Sequence, residues 1–218
     1  DEHLIEKNKE LTAKGKIPIT IAGESHVDLV DKMTRKGKET STTSNEKLPK
    51  PEKTKAKKGK TAWNLAIVLP DTQIGFRKYE DGTLDPFHDV HAINVAMQVV
   101  AAMEEEYGVD KVVNLGDTLD LPMFGKYATE PTFEGTVNLS LQAGHDYIAT
   151  QRALAPNAEI VYIDGNHDCR PQRYMTAMAK NAVEVRQVNG GEAVFSIPHL
   201  LNLHSIGNVT HVSGYPAD

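Results

Sequence analysis

Three short apolar runs, spaced about 45–50 residues apart, constrain the fold of this chain more than any other feature. They read NLAIVLP, KVVNLG and EIVYID, at residues 64–70, 111–116 and 159–164. Each run is rich in Val, Ile or Leu and is too short for a buried helix, so we predict three buried strands. Polar or helical segments separate them. This alternation predicts an α/β fold with parallel neighbouring strands joined by right-handed crossovers.

Helices are predicted between and after these strands. In residues 88–108, four apolar side chains lie near one helical face, and Gly108 is placed to end the helix; the four are Ile93, Met97, Val100 and Tyr107. Further helices are predicted over residues 134–154 and from Pro171 to about Val183, since proline suits a first helical turn.

The remaining segments are predicted to be less regular. Residues 71–87 contain glycine and turn-forming residues and are interpreted as a loop, and residues 117–133 as another. Residues 190–218 are predicted to form further short β segments. Strands, helices and loops are thus predicted for the whole chain after residue 60.

Charge divides the chain into two parts. Residues 1–60 hold 15 Lys/Arg and 10 Asp/Glu, whereas residues 61–218 hold 9 and 20. The Ser-, Lys- and Pro-rich stretch before residue 60 has few apolar residues, so we predict a basic, largely flexible arm on an acidic domain. Its seven lysines between Lys47 and Lys60 suit contacts with nucleic-acid phosphates. A solvated tether is the favoured interpretation of the arm.

Composition also argues against two classes of protein. The longest apolar runs are too short to span a bilayer, and no charged-then-apolar leader precedes them. The single cysteine, Cys169, excludes an internal disulfide framework. We therefore expect a soluble cytoplasmic protein without membrane partners, and we expect Cys169 only to pack.

Each predicted strand ends in polar residues of the kinds that bind metals. The ends of parallel strands meet at one edge of a sheet, so these groups are expected to converge. Carboxylates brought together repel one another unless a cation lies among them, and oxygen donors suit Mn²⁺, Mg²⁺ or Fe. The residues are Asp71 and Gln73, Asp117 and Asp120, and Asn166, His167 and Asp168.

The same residues carry a family resemblance. GDTLD (116–120) and GNHD (165–168) resemble the GDxxD and GNHD/E motifs of the calcineurin-like metallophosphoesterases, and DTQ (71–73) stands where that family has DxH. The likeness covers Leu65 to Tyr174, and the wording around LPDTQIGFR is similar to bacteriophage members. It implies a four-layer αββα sandwich that binds two divalent ions, commonly Mn²⁺, with Mg²⁺, Fe or Zn²⁺ as alternatives. A phage-encoded protein would act in the host cytoplasm.

The resemblance also implies residue roles. Asp71 would bind the first metal, Asp117 would bridge both metals, and Asn166 would bind the second. Gln73 replaces the usual histidine and makes the first metal site looser; His88 or His91 is an alternative ligand, although the start of a helix suits both better.

The catalytic roles fall on neighbouring residues. His167 would face the leaving-group oxygen, with Asp120 orienting its imidazole and Asp168 fixing the loop. Arg170 has two readings, a clamp on the substrate phosphate or a surface charge at a helix start.

These roles imply hydrolysis of a phosphodiester, in nucleic acid or a cyclic nucleotide, by a metal-bridged hydroxide. Asp120 is followed by Leu-Pro rather than Arg-Gly, which argues against phosphoprotein substrates. One alternative is a non-catalytic scaffold or binding protein that retains the fold. Another is that the basic arm is a nucleic-acid tether and the attached domain is incidental.

The later histidine and the GHxH motif of the family do not appear. His199, His204 and His211 follow the GNHD motif, but none has the neighbours that the family pattern requires. We expect a domain truncated before its C-terminal ligands. A degenerate, metal-poor site is the alternative, and the joint presence of the four family-matched residues favours truncation.

Overall fold

The computed structural model describes residues 64–127, 129–183, 185–186, 188 and 191–213. The basic arm predicted for residues 1–60, and the domain boundary placed after it, lie outside these ranges. The described residues all belong to the acidic part of the chain.

The strands form a parallel sheet and a separate hairpin. They are β1 (Ala66–Pro70), β2 (Phe76–Lys78), β3 (Leu84–Pro86), β4 (Lys111–Leu115), β5 (Glu159–Ile163) and β6 (Val209–Val212). The main sheet has the order β1-β4-β5-β6, and all its neighbours are parallel. The three strands predicted from the apolar runs are confirmed as β1, β4 and β5, and the α/β class with them.

The helices are α1 (Val90–Glu106), α2 (Val137–Leu154), α3 (Arg170–Met178), α4 (Lys180–Val183), α5 (Ile197–Leu200) and α6 (Leu203–Ile206). The single helix predicted to run from Pro171 to Val183 is broken at Ala179 into α3 and α4. The β prediction for residues 190–218 is wrong where α5 and α6 occur. Pro198 lies in the first turn of α5, where its fixed φ favours a helix.

Capping residues define the ends of α1. The Asp89 side chain accepts a hydrogen bond from the backbone amide three residues later, at 2.9 Å. Gly108 follows the helix with φ 78°, and its amide reaches the carbonyls of the last turn. Met97 and Val100 are buried as predicted, but Tyr107 is 57% exposed. Tyr107 is the C-cap residue, so it lies beyond the face that packs on the sheet.

The segment predicted as a loop after β1 contains an antiparallel hairpin, β2–β3. Its turn holds Asp81, which accepts the amide of Thr83, and Gly82 at φ 85°. Asp-Gly between two extended segments is a strong hairpin signal. Phe76 of this hairpin is buried, which anchors it to the core.

The main sheet has helices on one face only in the described residues. Successive strands are added in one direction, and right-handed crossovers then place the connecting helices on a single side. Accordingly, α1 packs against α2. The opposite face is apolar yet open, with Val68, Leu115 and Val212 each about half exposed. Within the described ranges, no second sheet covers this open face.

Two buried amides join the sheet to α2. Asn114 of β4 and Gln151 of α2 are both fully buried and exchange reciprocal hydrogen bonds of 2.8 and 2.9 Å. Each side chain thus satisfies the other in a core that excludes water. The pair fixes α2 against the strand that leads into the GDTLD motif.

None of the described helices is both long and apolar enough to cross a bilayer.

Candidate functional site

Backbone hydrogen bonds hold together the loops that follow β1, β4 and β5. The amide of Asp71 donates to the carbonyl of Gly116 at 3.2 Å, and that of Gln73 donates to Asp117 at 2.9 Å. The amide of Gly116 donates to Ile163 at 3.1 Å. The three strand ends therefore meet at one edge of the sheet, as the parallel arrangement predicted.

Three non-glycine residues in this edge have left-handed backbone conformations. Their φ angles are 54° for Asp71, 46° for Gln73 and 48° for Asp117. Asp adopts this region more readily than most residues, whereas Gln has no such preference. Conformations of this kind persist only where the surrounding structure enforces them, and they cluster at binding and catalytic sites.

Gly165 allows the GNHD turn to lie against the GDTLD loop. A Cβ at this position would be 2.1 Å from Asp117 Oδ1 and 2.2 Å from the Asp117 backbone nitrogen. No other residue fits such an approach. The contact is tightened by the amide of His167, which donates to Asp117 Oδ1 at 2.8 Å.

Asp168 forms hydrogen bonds with both the GDTLD loop and the GNHD turn. It is 1% exposed and accepts hydrogen bonds from the amides of Thr118, Leu119 and Gly165 and from the hydroxyl of Tyr162. Burial raises the pKa of the Asp168 carboxyl, and the four donors oppose that rise. The loop-fixing contacts expected of this residue are present.

His167, Asp120 and Arg170 form a partly buried cluster beside these loops. Nδ1 of His167 lies 3.1 Å from Oδ1 of Asp120, which is the neighbour expected to orient the imidazole. Arg170 donates to the same carboxylate oxygen, and its Nη2 lies 2.9 Å from Nε2 of His167. Arg170, predicted to contact substrate phosphate, is thus held by its two neighbours.

The predicted metal ligands offer oxygen atoms of the hard type. One carboxylate oxygen of Asp71 accepts from the Gln73 amide at 2.7 Å, and one of Asp117 accepts from His167. The second oxygen of each accepts no hydrogen bond from the described residues, and neither does the side chain of Asn166. Two carboxylate and two amide oxygens suit Mg²⁺ or Mn²⁺.

The carboxylates alone do not make a dense cluster. Among the described residues, no group of three or more His, Cys, Asp or Glu side chains is arranged to hold a metal ion. The predicted set contains only two such residues, because Gln73 and Asn166 are amides. The donors present therefore fit a hard divalent cation, with fewer charges than an all-carboxylate site supplies.

Of the two alternative metal ligands, His88 packs against the hairpin and His91 lies on α1. Nδ1 of His88 lies 2.9 Å from the carbonyl of Gly75, and the ring packs edge-on to Phe76 at 5.1 Å. Burial lowers the pKa of His88. These contacts support the hairpin, which leaves the alternative ligand role of His88 without support. His91 is exposed on α1, consistent with the favoured helical reading.

One pair near the site had no sequence signal. Nε2 of His211 lies 2.8 Å from Oδ1 of Asp164, and the amide of Asp164 donates to Val212 at 3.1 Å. These contacts join β6 to the end of β5, directly before Gly165. The two residues lie 47 positions apart. Only the pairing of β5 with β6 brings them together, so no local pattern could have found them.

The chain was compared with known protein families and with curated proteins. No family model matches it, and no curated protein matches it. The resemblance to the calcineurin-like metallophosphoesterases therefore rests on the three motif blocks and on their arrangement at one sheet edge.

Proposed function

We propose that this chain is a metal-dependent phosphoesterase that hydrolyses phosphodiesters. The observation that carries the proposal is the interlock of the three strand-end loops, which gathers the motif residues at one edge of the sheet. An edge of this kind is the usual position of a ligand site in parallel α/β sheets. The backbone strain at Asp71, Gln73 and Asp117 supports a site that is built for function.

The site would hold two divalent ions, with Mn²⁺ the first candidate. Asp71 and Gln73 would bind one ion, Asn166 the other, and Asp117 would contact both. Such ions neutralise phosphoryl oxygens and make water a better nucleophile.

Three side chains beside the metal ligands would act on the leaving group and on the substrate phosphate. The backbone amide of His167 donates to Asp117 Oδ1 at 2.8 Å, which holds this residue at the same edge, and its imidazole would donate a proton to the departing oxygen. Asp120 lies 3.1 Å from the His167 ring and would orient the imidazole toward the leaving group. The Arg170 guanidinium matches the geometry of phosphoryl oxygens and would attract the substrate.

The αββα architecture belongs to the same proposal. The open face of the main sheet is apolar, and its side chains alternate with residues that are buried under the helices. In a four-layer sandwich, a second sheet would pack on that face. The exposed Val68, Leu115 and Val212 support this arrangement.

Substrate class follows from charge. Residues 61–218 hold 9 basic and 20 acidic residues, which disfavours tight binding of a polynucleotide by that part. A cyclic nucleotide, or nucleic acid held by the basic arm of residues 1–60, suits this distribution. Both are phosphodiesters.

A non-catalytic scaffold is the second candidate. Gln73 in place of the family histidine favours it, as does the low number of carboxylates at the edge. A scaffold would keep the loop interlock but would not need the His167 and Asp120 pair.

The first test is Mn²⁺-dependent hydrolysis of bis(p-nitrophenyl) phosphate. We expect turnover that EDTA abolishes and that His167→Ala lowers by about 10²–10⁴-fold in kcat/KM, the usual contribution of a positioned acid. His204→Ala provides a matched control, because His204 is an exposed histidine on α6.

Two results would contradict the proposal. The first is an absence of hydrolysis with any of Mn²⁺, Mg²⁺, Fe²⁺ or Zn²⁺, together with no Mn²⁺ binding by calorimetry, which would favour the scaffold. The second is equal activity of His167→Ala and wild type, which would move the chemistry elsewhere.

A further inference from the structure

Arg170 contacts both side chains that the proposed acid catalysis needs, those of Asp120 and His167. Its guanidinium donates to Asp120 Oδ1 and lies 2.9 Å from His167 Nε2. An arginine side chain has only donors and stays protonated. Nε2 of His167 must therefore act as the acceptor, and the ring proton of neutral His167 is on Nδ1.

Among the described residues, that Nδ1 proton has no hydrogen-bond partner. Nδ1 is buried, and among the described residues no group is aligned to accept from it, although Asp120 Oδ1 is 3.1 Å away. The oxygen that it would use is already contacted by Arg170. Buried donors without partners are rare in proteins, and each one calls for an explanation, of which a catalytic role is one.

We propose that Arg170 is a positioning residue that the phosphoryl group of a substrate draws away from His167. This inference rests on the proposed phosphoesterase function and adds a step to substrate binding. When Arg170 turns to the phosphoryl oxygens, Asp120 Oδ1 becomes free to accept from Nδ1 of His167. The imidazole is then oriented by Asp120, and Nε2, released from Arg170, faces the substrate and is free to take up from solvent the proton that it would give to the departing oxygen.

The surroundings of Arg170 suit such a movement. Its side chain is 24% exposed, while the next residue, Pro171, is buried in the first turn of α3. The backbone is therefore anchored and the side chain has access to solvent. A phosphoryl group competes well for the guanidinium, because it offers two charged oxygens in a matching geometry.

The test monitors the imidazole of His167 by nitrogen and proton NMR in the full chain with Mg²⁺, before and after addition of inorganic phosphate. In wild type we expect a downfield Nδ1 proton signal, typical of a hydrogen bond to a carboxylate, only when phosphate is present. In Arg170→Ala this signal should be present without phosphate, and phosphate affinity should fall by at least about tenfold. Arg173→Ala, on the exposed side of α3, should behave as wild type.

Arg170→Lys provides the second variant, since it keeps the charge but cannot contact Asp120 and His167 through a planar fork. It should also show the Nδ1 signal without phosphate. The proposal is overturned if both variants give the spectrum of phosphate-free wild type, or if phosphate leaves His167 of wild type unchanged. The signal does not depend on turnover. If the protein is inactive but shows the phosphate-dependent signal, only the proposed phosphoesterase activity is refuted. If it is active but lacks the signal, only the proposed role of Arg170 is refuted.

Discussion

At the scale of single residues, Gly165 determines how closely the two motif loops approach. The first atoms that a side chain would meet belong to Asp117, including its backbone nitrogen at 2.2 Å, which cannot move aside as a flexible side chain would. The glycine of the GNHD motif is thus explained by packing.

Gly165→Ala is predicted to lower the free energy of unfolding by about 3 kcal/mol, the cost of overpacking a tight contact. It should also weaken Mn²⁺ binding, because Asp117 is displaced. Gly135→Ala is the control: its φ is 72° but nothing lies within 4 Å, so we expect only about 1 kcal/mol of backbone strain. Urea unfolding and calorimetric metal titration measure the two effects. Equal losses in both variants would contradict the packing explanation.

Cys169 gives a pH-dependent prediction. Burial and the nearby negative charge of Asp164 raise the pKa of the Cys169 thiol to about 11. The thiolate is the reactive form, so at pH 8 alkylation should be about a hundredfold slower than for an equally accessible thiol of ordinary pKa. Iodoacetamide rates in EDTA, followed by mass spectrometry from pH 7 to 11, should still be rising at the highest pH. A plateau below pH 9 would contradict this.

The residues of the site could be predicted to different extents. Asp71, Asp117 and Asn166 lie within three residues of the ends of apolar strands. Parallel strands end at one edge, so the convergence of these residues could be expected. The contacts of Arg170 could not, because they depend on rotamers. The left-handed backbone of Gln73 also has no signal in the sequence, since glutamine has no preference for that region.

At the scale of secondary-structure elements, the Asn114 and Gln151 pair fixes β4 to α2. Each amide is buried at 0% exposure and relies on the other for its hydrogen bonds. Removing one partner leaves a donor and an acceptor unsatisfied in the core.

Gln151→Met is predicted to destabilise the protein by about 2 kcal/mol, and Asn114→Leu by a similar amount. The double variant should lie within about 1 kcal/mol of wild type, because two apolar side chains replace a satisfied pair. A double-mutant cycle by urea unfolding measures the coupling. Additive losses in the double variant would show that the two amides act independently.

Long, strongly patterned elements could be predicted, and short ones could not. The strands β1, β4 and β5 consist of continuous apolar runs, and α1 has caps at both ends. The helices α5 and α6 have four residues each, too few to show a period, so their packing rather than their sequence determines them. The β2–β3 hairpin was missed, since residues 71–87 were predicted as a loop although the Asp-Gly turn is a hairpin signal.

At the scale of the whole molecule, the opposite charges of the two parts predict separate functions. Removal of residues 1–60 deletes 15 of the 24 basic residues. Any binding to nucleic acid should then be lost, while Mn²⁺-dependent hydrolysis of a small diester should remain. Binding of single-stranded oligonucleotides at several salt concentrations tests this, because phosphate contacts give a steep salt dependence. Unchanged affinity after removal would place nucleic-acid binding on the acidic part.

The open face and the loop-bearing edge are different boundaries of the same sheet. Among the described residues, the hydrogen bonds that hold Asp71, Asp117 and the GNHD turn join the strand-end loops to one another. A segment that packs on the open face of the main sheet can therefore vary in sequence and shape without changing the positions of the motif loops. We therefore expect sequence changes on the open face to leave the arrangement of the motif loops intact.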